Sequence, residues 1–146
     1  MNMKSVLVLN GPNLQRLGSR EPDIYGSLDY AALVSVLENE SSSLGLTLTV
    51  RQSDSESELI SWLHEAADSV TDVVFNPAAF THYSYAIADA CKILTTSGAR
   101  LIEVHISNPH AREEFRRNSV ISPAATGVIA GFGFDSYLLA LRQLTA

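Results

Sequence analysis

With 146 residues, 46% of them hydrophobic, the chain has the length and apolar content of one domain, expected to run over residues 1–146. A formal charge of −6 and the lack of any basic run exclude a nucleic-acid surface, while leaving room for a local cluster of arginines that holds a small anion. The single cysteine, Cys91, excludes an intrachain disulfide and a cysteine-based zinc motif. No long apolar segment marks a signal peptide or a membrane span, so a cytoplasmic protein with no membrane partner is expected.

Val6 to Leu9 is an apolar run without alternation, the pattern of a strand buried on both faces of a parallel sheet, and Asn10-Gly11-Pro12-Asn13 ends it. The loop that follows runs to Gly26 and carries Asn13, Arg16, Arg20, Glu21 and Tyr25. Connections of this kind usually take about 2–6 residues, and long ones are often lids. Tyr30, Leu33, Val34, Leu37 and Leu44 recur at helical spacing before a capping Gly45. The alternating stretch Leu46–Gln52 then predicts a half-buried strand at the sheet edge.

Ser55 and Glu58 have capping-box spacing ahead of a second helix through Leu59, Ile60, Leu63, Ala66, Ala67 and Val70, with His64 as a partly buried residue on its face rather than a catalytic one. Asp72–Asn76 predicts a third strand, closed by Pro77 and followed by Ala78–His82 and a helix through Ala86, Ile87, Ala90, Cys91 and Leu94. In the fourth strand, Arg100–Ile106, Glu103 and His105 are two apart and therefore share a face. His110–Arg117 reads as a short helix with Arg112 and Arg116 on one side. Gly127–Gly131 reads as a short buried strand, and Tyr137, Leu138, Leu141 and Leu144 mark a final helix.

Alternating strands and helices imply an α/β fold: a five-stranded parallel sheet with right-handed crossovers and helices on both faces, a flavodoxin-like three-layer sandwich of strand order 2-1-3-4-5. In that order the loops after Asn10 and Asn76 meet in one crevice, and the fourth strand brings Ser107 to the same edge. The crevice then gathers Asn13, Arg20, Tyr25, Asn76, His82, Glu103, His105, Arg112 and Arg116. His82, Glu103 and His105 are metal-type ligands, yet no tight histidine motif accompanies them. Asn10-Gly-Pro-Asn-Leu is neither a dinucleotide fingerprint nor a phosphate loop with its lysine. An acid/base enzyme fits better, with a tyrosine beside an arginine as base, a histidine aligned with a glutamate as acid, and further arginines for a carboxylate. The competing class is a non-catalytic binding module that uses Asn13, Arg20 and Arg116 to hold an anion.

Asn10-Gly-Pro-Asn-Leu, Gly18-x-Arg-Glu-Pro-x-x-Tyr-Gly26, Gln52-Ser-Asp-Ser-Glu56, Asn76-Pro with Thr81-His82, Glu103-Val-His-Ile-Ser-Asn108 and Arg112-Glu-Glu-Phe-Arg116 together resemble the type II 3-dehydroquinate dehydratases over almost the whole chain. The resemblance implies a flavodoxin-like fold and reversible loss of water from 3-dehydroquinate to give 3-dehydroshikimate. It also implies no cofactor, metal or covalent imine, and a homo-oligomer, a dodecamer built from trimers. Carried over by motif, Tyr25 is the base that removes the proton next to the ketone, Arg20 favours its tyrosinate, and His105 is the acid that protonates the departing hydroxyl. Asn13 stabilises the enolate through a water, and Glu103 orients His105. Asn76, His82, Ile106, Ser107 and Arg116 correspond to substrate-binding positions, Arg112 is an additional residue on the anion side or in lid closure, and Asp89 reaches the site of a neighbouring subunit. Tyr83 and Tyr85 stand where the family commonly has small or β-branched residues.

Those roles are physically consistent. A free tyrosine titrates near pH 10, so bringing it close to neutrality takes about three units, or roughly 4 kcal/mol of differential stabilisation. A guanidinium in a dry, closed site supplies much of that, the enolate needs donors aimed at its oxygen, and a poor leaving group needs a proton.

Overall fold

The computed structural model describes residues 3–19 and 28–146. Arg20 and Tyr25, the expected base and its partner, lie outside the described residues. Five strands, β1 (Lys4–Asn10), β2 (Leu46–Gln52), β3 (Asp72–Asn76), β4 (Leu101–His105) and β5 (Gly127–Ala130), form one sheet in the order β2-β1-β3-β4-β5, the order expected from the sequence. Every neighbouring pair is parallel. Parallel strands need crossovers, and here α1 (Tyr30–Leu44), α2 (Glu56–Ser69), α3 (Tyr85–Thr96) and α4 (Asp135–Thr145) pack on the two faces of the sheet.

The strands feed both layers because successive side chains point to opposite faces. Leu7, Leu9, Val73, Phe75 and Leu101 join Leu59 and Leu63 of α2 and Ile87, Cys91 and Leu94 of α3 in one core. Val6, Val8, Val74, Ile102 and Val104 join Leu33 and Leu37 of α1 and Tyr137, Ala140, Leu141 and Leu144 of α4 in the other. Fully burying one such aliphatic side chain contributes roughly 1.5–3 kcal/mol, so these two layers dominate the stability of the fold. Local signals agree with the layers. Asp29 accepts from the Ala32 N–H to start α1, Gly45 ends it in the left-handed region at φ 71°, and Ser55 and Ser84 cap α2 and α3.

A separate charged cluster sits at the amino-terminal edge of the sheet, away from the crevice. Asp72 accepts from the Arg100 N–H at 2.7 Å and pairs with Lys4 at 2.6 Å and with the Arg100 guanidinium at 3.2 Å. Burial pushes its carboxyl up, but that N–H and the two cations outweigh burial and hold it below the usual aspartate range.

Three expectations are corrected. His110–Arg117 is not a helix but two 3₁₀ turns, Pro109–Ala111 and Glu114–Arg117, because Arg112 between them is extended, at φ −115° and ψ −159°. The fifth strand is not buried: β5 is an edge strand with β4 as its one neighbour, Ile129 packs into the α4 layer, and Val128 is 50% exposed on the other side. His64 is exposed on α2 rather than partly buried.

Candidate active site

At the carboxyl end of the sheet, Asn10 of β1 stands in register with Gln52 of β2 and Asn76 of β3. The ends of β1 and β3 approach so closely that a methyl on Gly11 would lie 2.5 Å from the Pro77 carbonyl oxygen, and the Gly11 N–H donates to the Asn76 carbonyl at 2.8 Å. Only glycine fits there. Beyond it the chain turns through Asn13 in the left-handed region, φ 69°. The Gln52 side chain donates to the Gly11 carbonyl and to Asp54, and Asp54 in turn accepts the Asn13 N–H at 2.9 Å. The strand-two motif thus holds the strand-one loop, a link that the sequence did not reveal.

A cleft of about 160 Å³ opens at this switch point. Asn13, Asn76, His82, His105, Ile106, Ser107, Arg112 and Arg116 all line it, so the structure brings together every described residue expected at the crevice except Glu103. Glu103 lies beneath the cleft, behind His105, and Asp89, expected at the site of a neighbouring subunit, lies exposed on α3. Pro12, Leu14, Ala78, Ala79 and Pro109 complete the lining.

Asn76 is fixed from below. Its Nδ2 donates to the Tyr137 hydroxyl at 2.9 Å, the hydroxyl donates to Asn10 Oδ1 at 2.6 Å, and Asn76 Oδ1 accepts the Ala78 N–H. Tyr137 is fully buried, and burial raises its pKa above the ordinary tyrosine value, which keeps it a donor.

The two histidines are held in different ways. His82 Nδ1 lies 2.8 Å from the Asn118 carbonyl, which accepts only, so the proton sits on Nδ1 and Nε2 is left as an acceptor. Burial lowers its pKa, and the charges of Arg116 and His105 act in the same direction, which favours the neutral ring. Such a ring accepts from a hydroxyl of a bound molecule. His105 instead turns Nε2 to the Glu103 carboxylate at 2.5 Å, which leaves Nδ1 as the ring nitrogen that a molecule in the cleft can reach. The sequence expectation that strand four pairs these two side chains on one face therefore holds.

Two guanidiniums with little exposure also line the cleft, 10% for the Arg112 side chain and 18% for that of Arg116. Arg112 donates to the Ser107 hydroxyl at 3.3 Å. Arg116 donates to Glu113 and stacks over Phe115, whose ring meets His82 edge-on. A planar fork in a partly dry cleft binds a carboxylate more strongly than it would in water, so an acidic chain carries a cationic pocket. The one thiol, Cys91, takes no part: burial and the Glu103 charge push its pKa up to about 12. Among the described residues no group of three or more His, Cys, Asp or Glu could hold a metal ion, and no helix is long and apolar enough to cross a membrane.

A parallel α/β sheet with a cleft of two histidines and two arginines at its switch point defines the class to which the comparisons also lead. Residues 4–145 match the family model for class II dehydroquinases. Over 141 residues the chain is 57% identical to a 3-dehydroquinate dehydratase of Salinispora tropica, covering 97% of this chain and 96% of that one. Over 142 residues it is 58% identical to that of Mycobacteroides abscessus, with the same coverage. The crystal structure of type II dehydroquinase from Propionibacterium acnes superposes with a TM-score of 0.94 at 53% identity, covering 99% of both chains. The chain belongs to the class II dehydroquinase family.

Sequence reasoning missed Tyr137, Asp54 and two serines that touch Glu103. Tyr137 reads as one more apolar position of the last helix, and its partners lie 61 and 127 residues away. Replacing Tyr137 with Phe leaves Asn10 Oδ1 and Asn76 Nδ2 buried without this partner, so thermal or urea unfolding should show a loss of about 1–3 kcal/mol. Unchanged stability would show that the hydroxyl does not hold these two side chains.

Proposed function

We propose that this chain catalyses the reversible dehydration of 3-dehydroquinate to 3-dehydroshikimate through an enolate, in the shikimate pathway or in quinate breakdown, and does so without cofactor or metal. The family assignment supports the reaction. The observation that carries the mechanism is the His105–Glu103 pair opening onto a cleft with Arg112 and Arg116 on its rim. Glu103 can only accept, so His105 in its doubly protonated form offers Nδ1–H to the departing hydroxyl. Protonation of that oxygen lets it leave as water, which a poor leaving group requires.

Tyr25 removes the proton next to the ketone, and Arg20 stabilises its tyrosinate. Negative charge then moves to the ketone oxygen, where Asn13, through a water, offsets it. The His82 Nε2 accepts from a substrate hydroxyl, Asn76, Ile106 and Ser107 line the place of the ring, and Arg116, with Arg112, holds the carboxylate. The assembly is a homo-oligomer, a dodecamer of trimers, in which Asp89 reaches the cleft of a neighbouring subunit. Its exposed position on α3, away from its own cleft, is compatible with that role.

The enone product absorbs in the ultraviolet where the substrate does not, so turnover is read directly on mixing protein with 3-dehydroquinate. His105→Ala should lower kcat by roughly 10² to 10⁴ with KM changed much less, and Tyr25→Phe should abolish turnover while a non-reacting analogue binds within about tenfold. A loss confined to binding in His105→Ala would make it a substrate ligand, and appreciable turnover in Tyr25→Phe would end the tyrosinate mechanism. Light scattering of the active protein should give a mass that is a multiple of three chains; a fully active monomer would contradict the assembly.

A further inference from the structure

Glu103 has 1% exposure, and a carboxylate removed from water must have its lone pairs filled. His105 fills one position. The others are taken by two hydroxyls from the segment that crosses beneath the cleft: Ser119 Oγ lies 3.2 Å from each carboxylate oxygen, and Ser122 Oγ lies 2.7 Å from Oε1. Both serines must donate, because an ionised carboxylate only accepts.

Ser119 is constrained further. Its oxygen accepts from the backbone N–H of Ile121 at 3.1 Å and of Ser122 at 3.0 Å. A hydroxyl has two lone pairs and one hydrogen, so with both lone pairs occupied the hydrogen has only the carboxylate to meet. The turn Ser122–Ala124 therefore orients a donor at Glu103 through the backbone itself. Ser122 adds the shorter bond, on the oxygen that His105 does not use.

We propose that Ser119 and Ser122 are positioning residues for the dehydration, holding the Glu103 carboxylate with Oε2 on His105 Nε2 and so presenting Nδ1 of His105 to the cleft. They touch neither substrate nor the reacting atoms. Without them a buried carboxylate keeps a single partner and is free to rotate about its last torsion, and the His105 ring loses its fixed tautomer and direction. An acid displaced by a fraction of its hydrogen-bond length loses much of its effect on the rate.

The proposal rests on the reading of His105 as the acid, and the test separates the two. Kinetics of Ser119→Ala, Ser122→Ala and the double variant are measured beside Ser122→Thr, together with proton–nitrogen NMR of protein labelled at histidine. Ser122→Ala carries the most weight, because Ser119 also accepts two backbone bonds and its alanine variant can fail to fold for that reason alone. The alanine change at Ser122 should lower kcat about tenfold and the double change about a hundredfold, with KM within about threefold of the parent. Ser122→Thr, which keeps the hydroxyl, should restore kcat to within about threefold. In the parent the His105 Nε2–H resonance should lie far downfield because of its short bond to Glu103, and in Ser122→Ala it should move upfield. An unmoved resonance with kcat within about twofold of the parent would overturn the proposal. So would a loss of kcat that threonine does not restore. Full activity in His105→Ala would fail the acid reading instead, and the NMR result would still decide whether the serines hold Glu103.

Discussion

The site depends on one hydrogen bond, from His105 Nε2 to a carboxylate with almost no exposure. Placing a negative charge inside the α2–α3 layer, on the same strand face as Leu101, is costly unless donors surround it. Its position at the carboxyl end of β4 makes this possible, because there the strand leaves the packed layer and the 119–124 segment folds beneath it. The same geometry fixes which nitrogen of His105 faces the cleft. Fold, burial and the acid role proposed for His105 are thus linked through a single side-chain pair.

A second constraint is the meeting of β1 and β3. Gly11 against Pro77 brings two strand ends into contact, and the Asn10–Tyr137–Asn76 chain locks them from the α4 side. Polar side chains are buried here only because each has a partner in the next element. The result is a floor fixed by side-chain hydrogen bonds, beneath a cleft lined by a neutral-favouring His82 and the two arginines. The hydroxylated carboxylate proposed as substrate offers both hydroxyls and charge to such a set of side chains.

Much of this was legible in the sequence because strands in parallel sheets announce themselves as short apolar runs and their ends as Asn-Gly-Pro or Asn-Pro. Once β1, β3 and β4 were located, the crossover rule gathered Asn13, Asn76, His82 and His105 at one edge, and the period of two paired Glu103 with His105. What was not legible depends on contacts distant in sequence. The stretch around Arg112 is a separate case: it has good helix formers, yet Arg112 is extended between two 3₁₀ turns and donates to Ser107 only five residues before it. Four apolar residues at β5 cannot tell one covered face from two. Ser119 and Ser122 carry no pattern at all, since a serine near an arginine-rich turn looks the same whether it meets solvent or a buried carboxylate.

The central claim is that proton removal and loss of hydroxyl are separate steps carried by separate groups, with His105 serving only the second. The most direct measurement is hydrogen exchange at the carbon next to the ketone, followed by NMR for 3-dehydroquinate in deuterated water with His105→Ala. The account predicts that this variant incorporates deuterium into recovered substrate while forming little product, because the enolate still forms and returns. If exchange is lost together with dehydration and to the same degree, His105 acts in proton removal as well, and the division of roles proposed for this cleft is wrong.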